Sequence, residues 1–270
     1  MTIDPTIVVA GIGAAGTVGA ALIGKQWGRQ AGKKEEKAAA ETHAQASAKT
    51  LQAQINETFG FRAAKIQTHL TVLDTNGNAR AIRRWRGVQV ENGHTVSHLA
   101  GEFRCMSPGG KILGPPQLSG VSRYAKEVSL VDIERSPSFA RYRVDIAGGL
   151  TYGDRPLDFD LTVSYESVVL MTMAEVEKAY ANDVIKRDYL AFDVAVPVEQ
   201  VELEVEFPAG VAVTTFPFVC YGWGEHAHGR ELARTKMGFE RTARGGRFAV
   251  AEPLLGFRYL IYWAFPAAPQ

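Results

Sequence analysis

Residues 66–90 read IQTHLTVLDTNGNARAIRRWRGVQV, an alternating run, a turn cluster and a second alternating run. Ile66, Leu70 and Val72 recur on the even positions, with Gln67, His69 and Thr71 between them, a period of two that places successive side chains on opposite sheet faces. Asn76-Gly77 supplies the positive φ angles of a tight turn, so the stretch predicts a β-hairpin. Asn92-Gly93 repeats the device before TVSHLAGEFRCM.

Toward the C-terminus, the Pro- and Gly-rich stretch SPGGKILGPPQLSG predicts an exposed loop. Alternating segments then follow: KEVSLVDIER, ARYRVDIAGGL and LDFDLTVSYESVVL. A short helix is expected over Ala174–Asn182, after which strands resume in RDYLAFDVAV, VEQVELEVEF, VAVTTFPFVCYGW, ELARTKMGFERT, RFAVAE and GFRYLIYWAF. In VELEVEF, Val201, Leu203, Val205 and Phe207 share one face and Glu202, Glu204 and Glu206 the other, the pattern of a sheet with one solvated side. Tyr259, Ile261 and Trp263 alternate in the last strand and are expected to close the core. Residues 61–270 therefore predict a mainly β domain, an antiparallel sandwich or partly closed barrel of about ten strands.

Toward the N-terminus the texture changes. Residues 25–60 are rich in Ala, Glu, Gln and Lys and predict a helical stalk. Residues 1–24 contain the uncharged run TIVVAGIGAAGTVGAALIG. As a helix its roughly 19 residues would span about 28 Å, against a hydrocarbon core of about 30 Å. Small residues recur four apart, Gly11, Ala15 and Gly19 on one stripe and Gly16, Ala20 and Gly24 on another, as in membrane helices that self-associate. Lys25, Arg29, Lys33 and Lys34 follow at once, which places this flank and the β domain in the cytoplasm by the positive-inside rule. The same run spells G-x-G-x-x-G at Gly11, Gly13 and Gly16, a dinucleotide-binding fingerprint. That fingerprint requires a second strand ending in an acidic residue, and the helix-forming segment around Glu35 and Glu36 provides none.

The composition is that of a globular chain, 46% hydrophobic with a net charge of +1, which gives no general drive toward nucleic acid. Cys105 and Cys220 are too few and too far apart to form a disulfide framework. His226 and His228 are spaced to share a strand face and are weak metal candidates, with Cys220 or Glu225 near in sequence; His94 and His98 form a looser pair. Asp158 and Asp160 share a strand face, either as a carboxylate pair or as solvated edge charges. Arg80, Arg84 and Arg86 share another, with Arg83 and Trp85 opposite. Guanidinium forks suit phosphates and carboxylates, so Arg80, Arg84, Arg86 and Trp85 form a candidate patch for an anionic ligand or partner; the alternative is pairing with acidic residues of neighbouring strands.

The sequence thus predicts a single-pass inner-membrane protein without catalytic constellation or cofactor. Its cytoplasmic β domain would sense or dock a protein partner, while the Gly/Ala-rich helix forms homo-oligomers in the bilayer or perturbs it, as in cell-suicide defence. A scaffold component of a membrane or virion is the alternative reading, and a dinucleotide-dependent oxidoreductase the third.

Overall fold

The structure, a computed structural model, describes residues 59–264 apart from 92, 106, 108, 124, 182–187, 212, 217–219 and 223–236. The expected membrane span with its glycine and alanine stripes (Gly11, Ala15, Gly19, Gly16, Ala20, Gly24), the basic flank (Lys25, Arg29, Lys33, Lys34) and most of the stalk lie outside the described residues, as do His226 and His228. Among the described residues, no helix is long and apolar enough to cross a membrane.

The domain is mainly β, with mixed sheets. Its strands are β1 (Phe61–Val72), β2 (Ala79–Val90), β3 (Thr95–Arg104), β4 (Lys111–Ser119), β5 (Val128–Arg135), β6 (Phe139–Thr151), β7 (Leu157–Glu166), β8 (Asp188–Asp193), β9 (Val198–Glu206), β10 (Thr214–Phe216), β11 (Cys220–Gly222), β12 (Met237–Thr242), β13 (Gly245–Ala251) and β14 (Phe257–Ala264). One helix, α1 (Met173–Ala179), overlaps the segment Ala174–Asn182 predicted to be helical, starting one residue earlier and ending three earlier. It starts at a capping box in which Thr172 and Glu175 satisfy each other's backbone N–H groups.

A seven-stranded sheet in the order β12-β13-β9-β1-β2-β7-β4 forms one layer. Its inner face carries the alternating apolar residues expected from the periodicity, with Ile66, Leu70, Phe159, Leu161, Val201, Leu203 and Val205 all buried, and Trp85 joins them there. The other layer is split. A four-stranded sheet built around β14 packs on the β9 and β13 side, and a three-stranded sheet, β3-β6-β5, packs on the β2 and β4 side. One hydrophobic cluster runs through all three sheets. β14 is buried on both faces, because Leu260 and Tyr262 are enclosed as well as Tyr259, Ile261 and Trp263.

Three local expectations are corrected. The sheet is not purely antiparallel: β1 and β9 run parallel, with Lys65 opposite Gln200 and Thr71 opposite Glu206. The stretch SPGGKILGPPQLSG is not a free loop but contains β4, which pairs with β7 on the sheet edge. Its register breaks between Leu113 and Gln117, where Pro115 and Pro116 have no N–H to donate, and an edge strand tolerates this because only one side must pair. The β1–β2 hairpin is confirmed, but its connection is longer than a two-residue turn. Gly77 N–H donates to Asp74 carbonyl at 3.3 Å, the Asp74 carboxylate accepts from Asn76 and Asn78, and of the Asn76-Gly77 pair only Gly77 has a positive φ, +74°.

Gly77 also docks the end of β7. Its carbonyl accepts N–H bonds from Val168 and Val169, and a Cβ on Gly77 would stand 1.9 Å from the Val169 carbonyl oxygen. Gly93 has a similar φ of +85° but open space around it. Gly93→Ala is therefore expected to cost about 1 kcal/mol, the left-handed penalty alone, and Gly77→Ala about 3 kcal/mol or more, because backbone must move. Urea unfolding of the two variants checks this; equal losses would show that the contact at Val169 does not matter.

Candidate functional site

Each predicted arginine has a definite place. Trp85 lies on the inner face, buried and stacked on Phe159 at 5.6 Å, so it does not belong to a surface patch. Arg86 is held by Asp160 at 2.6 Å and donates to the Trp85 and Phe159 carbonyls. Arg80 and Arg84 remain on the outer face, with no ion pair to a described residue. Asp158 accepts from Gly87 N–H at 2.7 Å, at the β2 bulge between Trp85 and Val88. Asp158 and Asp160 are therefore partners of β2 on an interior strand, not edge charges.

The remaining sequence candidates do not converge. His98 Nδ1 lies 3.2 Å from the Ser97 hydroxyl, and His94 packs over Gly60. Cys105 is half-buried, and burial pushes its thiol up to about 11, which leaves it inert as a nucleophile.

A cavity of about 30 Å³ lies at the seam where the three sheets meet. Thr68 and Leu70 of β1, Arg83 of β2, Phe103 and Arg104 of β3, Tyr165 of β7, β8 and Trp263 of β14 line it. Among the lining residues, Arg83 is the cation held against two aromatic rings. Its guanidinium lies 4.5 Å from the centre of the Phe103 ring and 5.2 Å from that of Phe192. Its Nη1 donates to the Glu102 carbonyl at 2.9 Å and lies 3.4 Å from the Tyr142 hydroxyl. No described carboxylate pairs with it; Glu102 turns its own carboxylate to Arg104 and Arg141 instead. Three groups along this lining are buried and lack any hydrogen-bond partner: Arg83 Nε, Trp263 Nε1 and Thr68 Oγ1. The first two can only donate. Burial pushes the Tyr165 phenol up, and the nearby Arg83 charge opposes that shift.

A second constellation lies on the outer face. β9 presents Glu202, Glu204 and Glu206 in a row, and the parallel pairing with β1 sets His69 opposite Glu204. Glu202 is buried and bound by Lys65 and Gln67, each at 2.7 Å. The other two carboxylates and His69 stay half-buried.

The chain was compared with known proteins. No protein-family model and no curated protein matches it. Among solved structures it is similar to an M1 zinc metallopeptidase from Deinococcus radiodurans, at 9% identity and TM-score 0.35, covering 75% of this chain and 42% of that one. It is also similar to the native leukotriene A4 hydrolase from Saccharomyces cerevisiae, at 9% identity and TM-score 0.38, covering 78% and 30%. The chain spans less than half the length of these proteins. No activity passes from them to this chain.

This finding corrects the functional expectation. The similar solved structures are of enzymes, a zinc metallopeptidase and a hydrolase, and the expectation of a non-enzymatic membrane effector, with its scaffold and oxidoreductase alternatives, is withdrawn. The β-rich fold stands.

Proposed function

We propose that the β domain binds a small acidic molecule and takes its carboxylate into the cavity at the seam of the three sheets. The carrying observation is Arg83, a cation enclosed by two aromatic rings without a carboxylate, beside two further buried groups that lack acceptors. Buried charge is normally paired, and buried donors are normally satisfied, so a lining of this kind favours an occupant that is anionic and accepts hydrogen bonds. A cavity needs about 10–15 Å³ to hold one water, so about 30 Å³ accommodates one or two waters or a carboxylate head. The exposed Arg104 at the rim marks where the rest of a ligand would emerge.

Calorimetric titration of the full chain with acetate and benzoate tests this. A charge-assisted hydrogen bond contributes about 1.5–3 kcal/mol, so Arg83→Gln is expected to weaken binding by about 10- to 100-fold while the far-ultraviolet spectrum stays folded. Absence of saturable binding to the unaltered chain, or equal affinity in Arg83→Gln, refutes the reading. The outer-face pair Arg80 and Arg84, also without described ion-pair partners, is the competing site for the same anion. Loss of binding in the Arg80→Gln, Arg84→Gln variant with retention in Arg83→Gln would move the site there.

A further inference from the structure

The outer face of the seven-stranded sheet holds a second arrangement that anion binding at Arg83 does not use. We infer that His69, Glu204 and Glu206 form a site for a divalent transition-metal ion of the zinc type. One ligand atom from each residue lies within 4.8 Å of the others. His69 Nε2 stands 3.6 Å from Glu206 Oε2. Zinc–ligand bonds of about 2.0–2.2 Å give a tetrahedral edge of about 3.4 Å, so this pair already sits near the spacing at which both could hold one ion.

The nitrogen is the decisive atom. His69 Nε2 is shut off from solvent and has no hydrogen-bond partner. A solvated imidazole would normally donate to or accept from water there, whereas this one faces two carboxylates. Both Glu204 and Glu206 have unused acceptor capacity. Gln67 reaches Glu204 at 3.5 Å and Arg244 reaches Glu206 at 3.4 Å, both long contacts. Arg247, opposite Glu204 on β13, is committed to Glu240 at 2.5 Å. Lys65 is committed to Glu202. Glu204 and Glu206 thus face an imidazole with only the long contacts from Gln67 and Arg244 against them, and a dication would neutralise both carboxylates.

One nitrogen and two oxygens select the borderline metals over calcium or magnesium, which take oxygen alone. Two adjacent parallel strands hold the three side chains: Glu204 and Glu206 share a face by the period of two, and His69 lies alongside on β1. With three protein ligands, the remaining coordination would be water.

Cobalt(II) is the probe, because its visible absorption reports coordination number. The full chain, stripped with chelator, is titrated with cobalt chloride and then back-titrated with zinc chloride. The expected result is one cobalt ion per chain with absorption of four- or five-coordinate type, displaced by zinc. Loss of a ligand should weaken binding by at least about tenfold, as even outer-shell changes do, so His69→Ala and the isosteric Glu204→Gln are both expected to show it. Zinc should also raise the melting temperature of the unaltered chain and not that of Glu204→Gln. His226→Ala with His228→Ala should bind as before. The inference is overturned by no saturable cobalt binding at millimolar concentration, by unchanged affinity in both His69→Ala and Glu204→Gln, or by loss confined to the His226 and His228 variant.

Discussion

Trp263→Ala is expected to lower the free energy of unfolding by about 3–5 kcal/mol, the range for truncating a large buried aromatic side chain. Trp263 is 1% exposed and packs edge-on against Phe207 at 5.5 Å. It sits on β14, between Asp188 of β8 and Thr215 of β10, so its loss would open the small sheet as well as the contact with the large one. The existing cavity would merge with the new void, which the surrounding strands cannot fill without breaking register. Trp263→Phe separates two contributions. It retains most of the ring packing and removes Nε1, a buried donor without a partner whose burial itself costs about 1–3 kcal/mol. Its loss is therefore expected to be much smaller, about 1 kcal/mol or less. Urea unfolding of both variants decides the matter; equal losses would mean that indole volume does not hold the sheets together.

Stability is expected to fall as pH rises from about 4 to about 7, and Asp188 is the cause. This carboxyl is 1% exposed, and burial pushes it up to about 7 despite hydrogen bonds from Leu170 N–H, Tyr189 N–H and the Tyr180 hydroxyl. An unfolded aspartate titrates near 3.9. Between the two values the folded chain holds a proton that the unfolded chain has released, so rising pH favours unfolding. The slope is at most about 1.4 kcal/mol per pH unit, and the full span is a few kcal/mol. Below about pH 4 the contribution is fully present; above about 7 it is gone. Asp154 works in the opposite direction. The hydrogen bond from Lys126 is the main cause that holds it down at about 2, so its contribution is lost only as pH falls below about 4. The windows do not overlap. Asp188→Asn should be less stable at pH 4.5, where it lacks the native acid, and should have a flatter profile up to pH 7.5. Denaturant unfolding at four pH values measures this, and parallel profiles for the two proteins would refute the assignment.

The legibility of the fold followed interaction range. The period of two in Ile66–Val72, in Val201–Phe207 and in Leu157–Tyr165 marked strands and their buried faces correctly, because strand geometry fixes side-chain direction residue by residue. The helix near Ala174 was legible from its own residues, AEVEKAYAN, whose Glu and Lys stand at spacings that allow side-chain pairs; its capping box at Thr172 and Glu175 is a finding of the structure. β4 was misread because proline and glycine signal a loop locally, whereas its place on the sheet edge depends on β7, over forty residues away in the chain.

The candidate sites show the same division. Arginine clustering in ARAIRRWRG was visible in the sequence, and so was the separation of Arg80, Arg84 and Arg86 from Arg83 and Trp85. The sequence did not reveal that Arg86 would be neutralised by Asp160, nor that Arg83 would be enclosed without a carboxylate. The acidic row on β9 was likewise visible, but His69 comes beside it only through the parallel β1–β9 pairing. Alternation by itself determined which side of β1, β7 and β9 faces the core, because that property is set by the strand's own backbone. Tertiary structure alone decided which charges are paired and which are left facing one another, because strand order and register depend on the packing of the whole chain and not on any one segment.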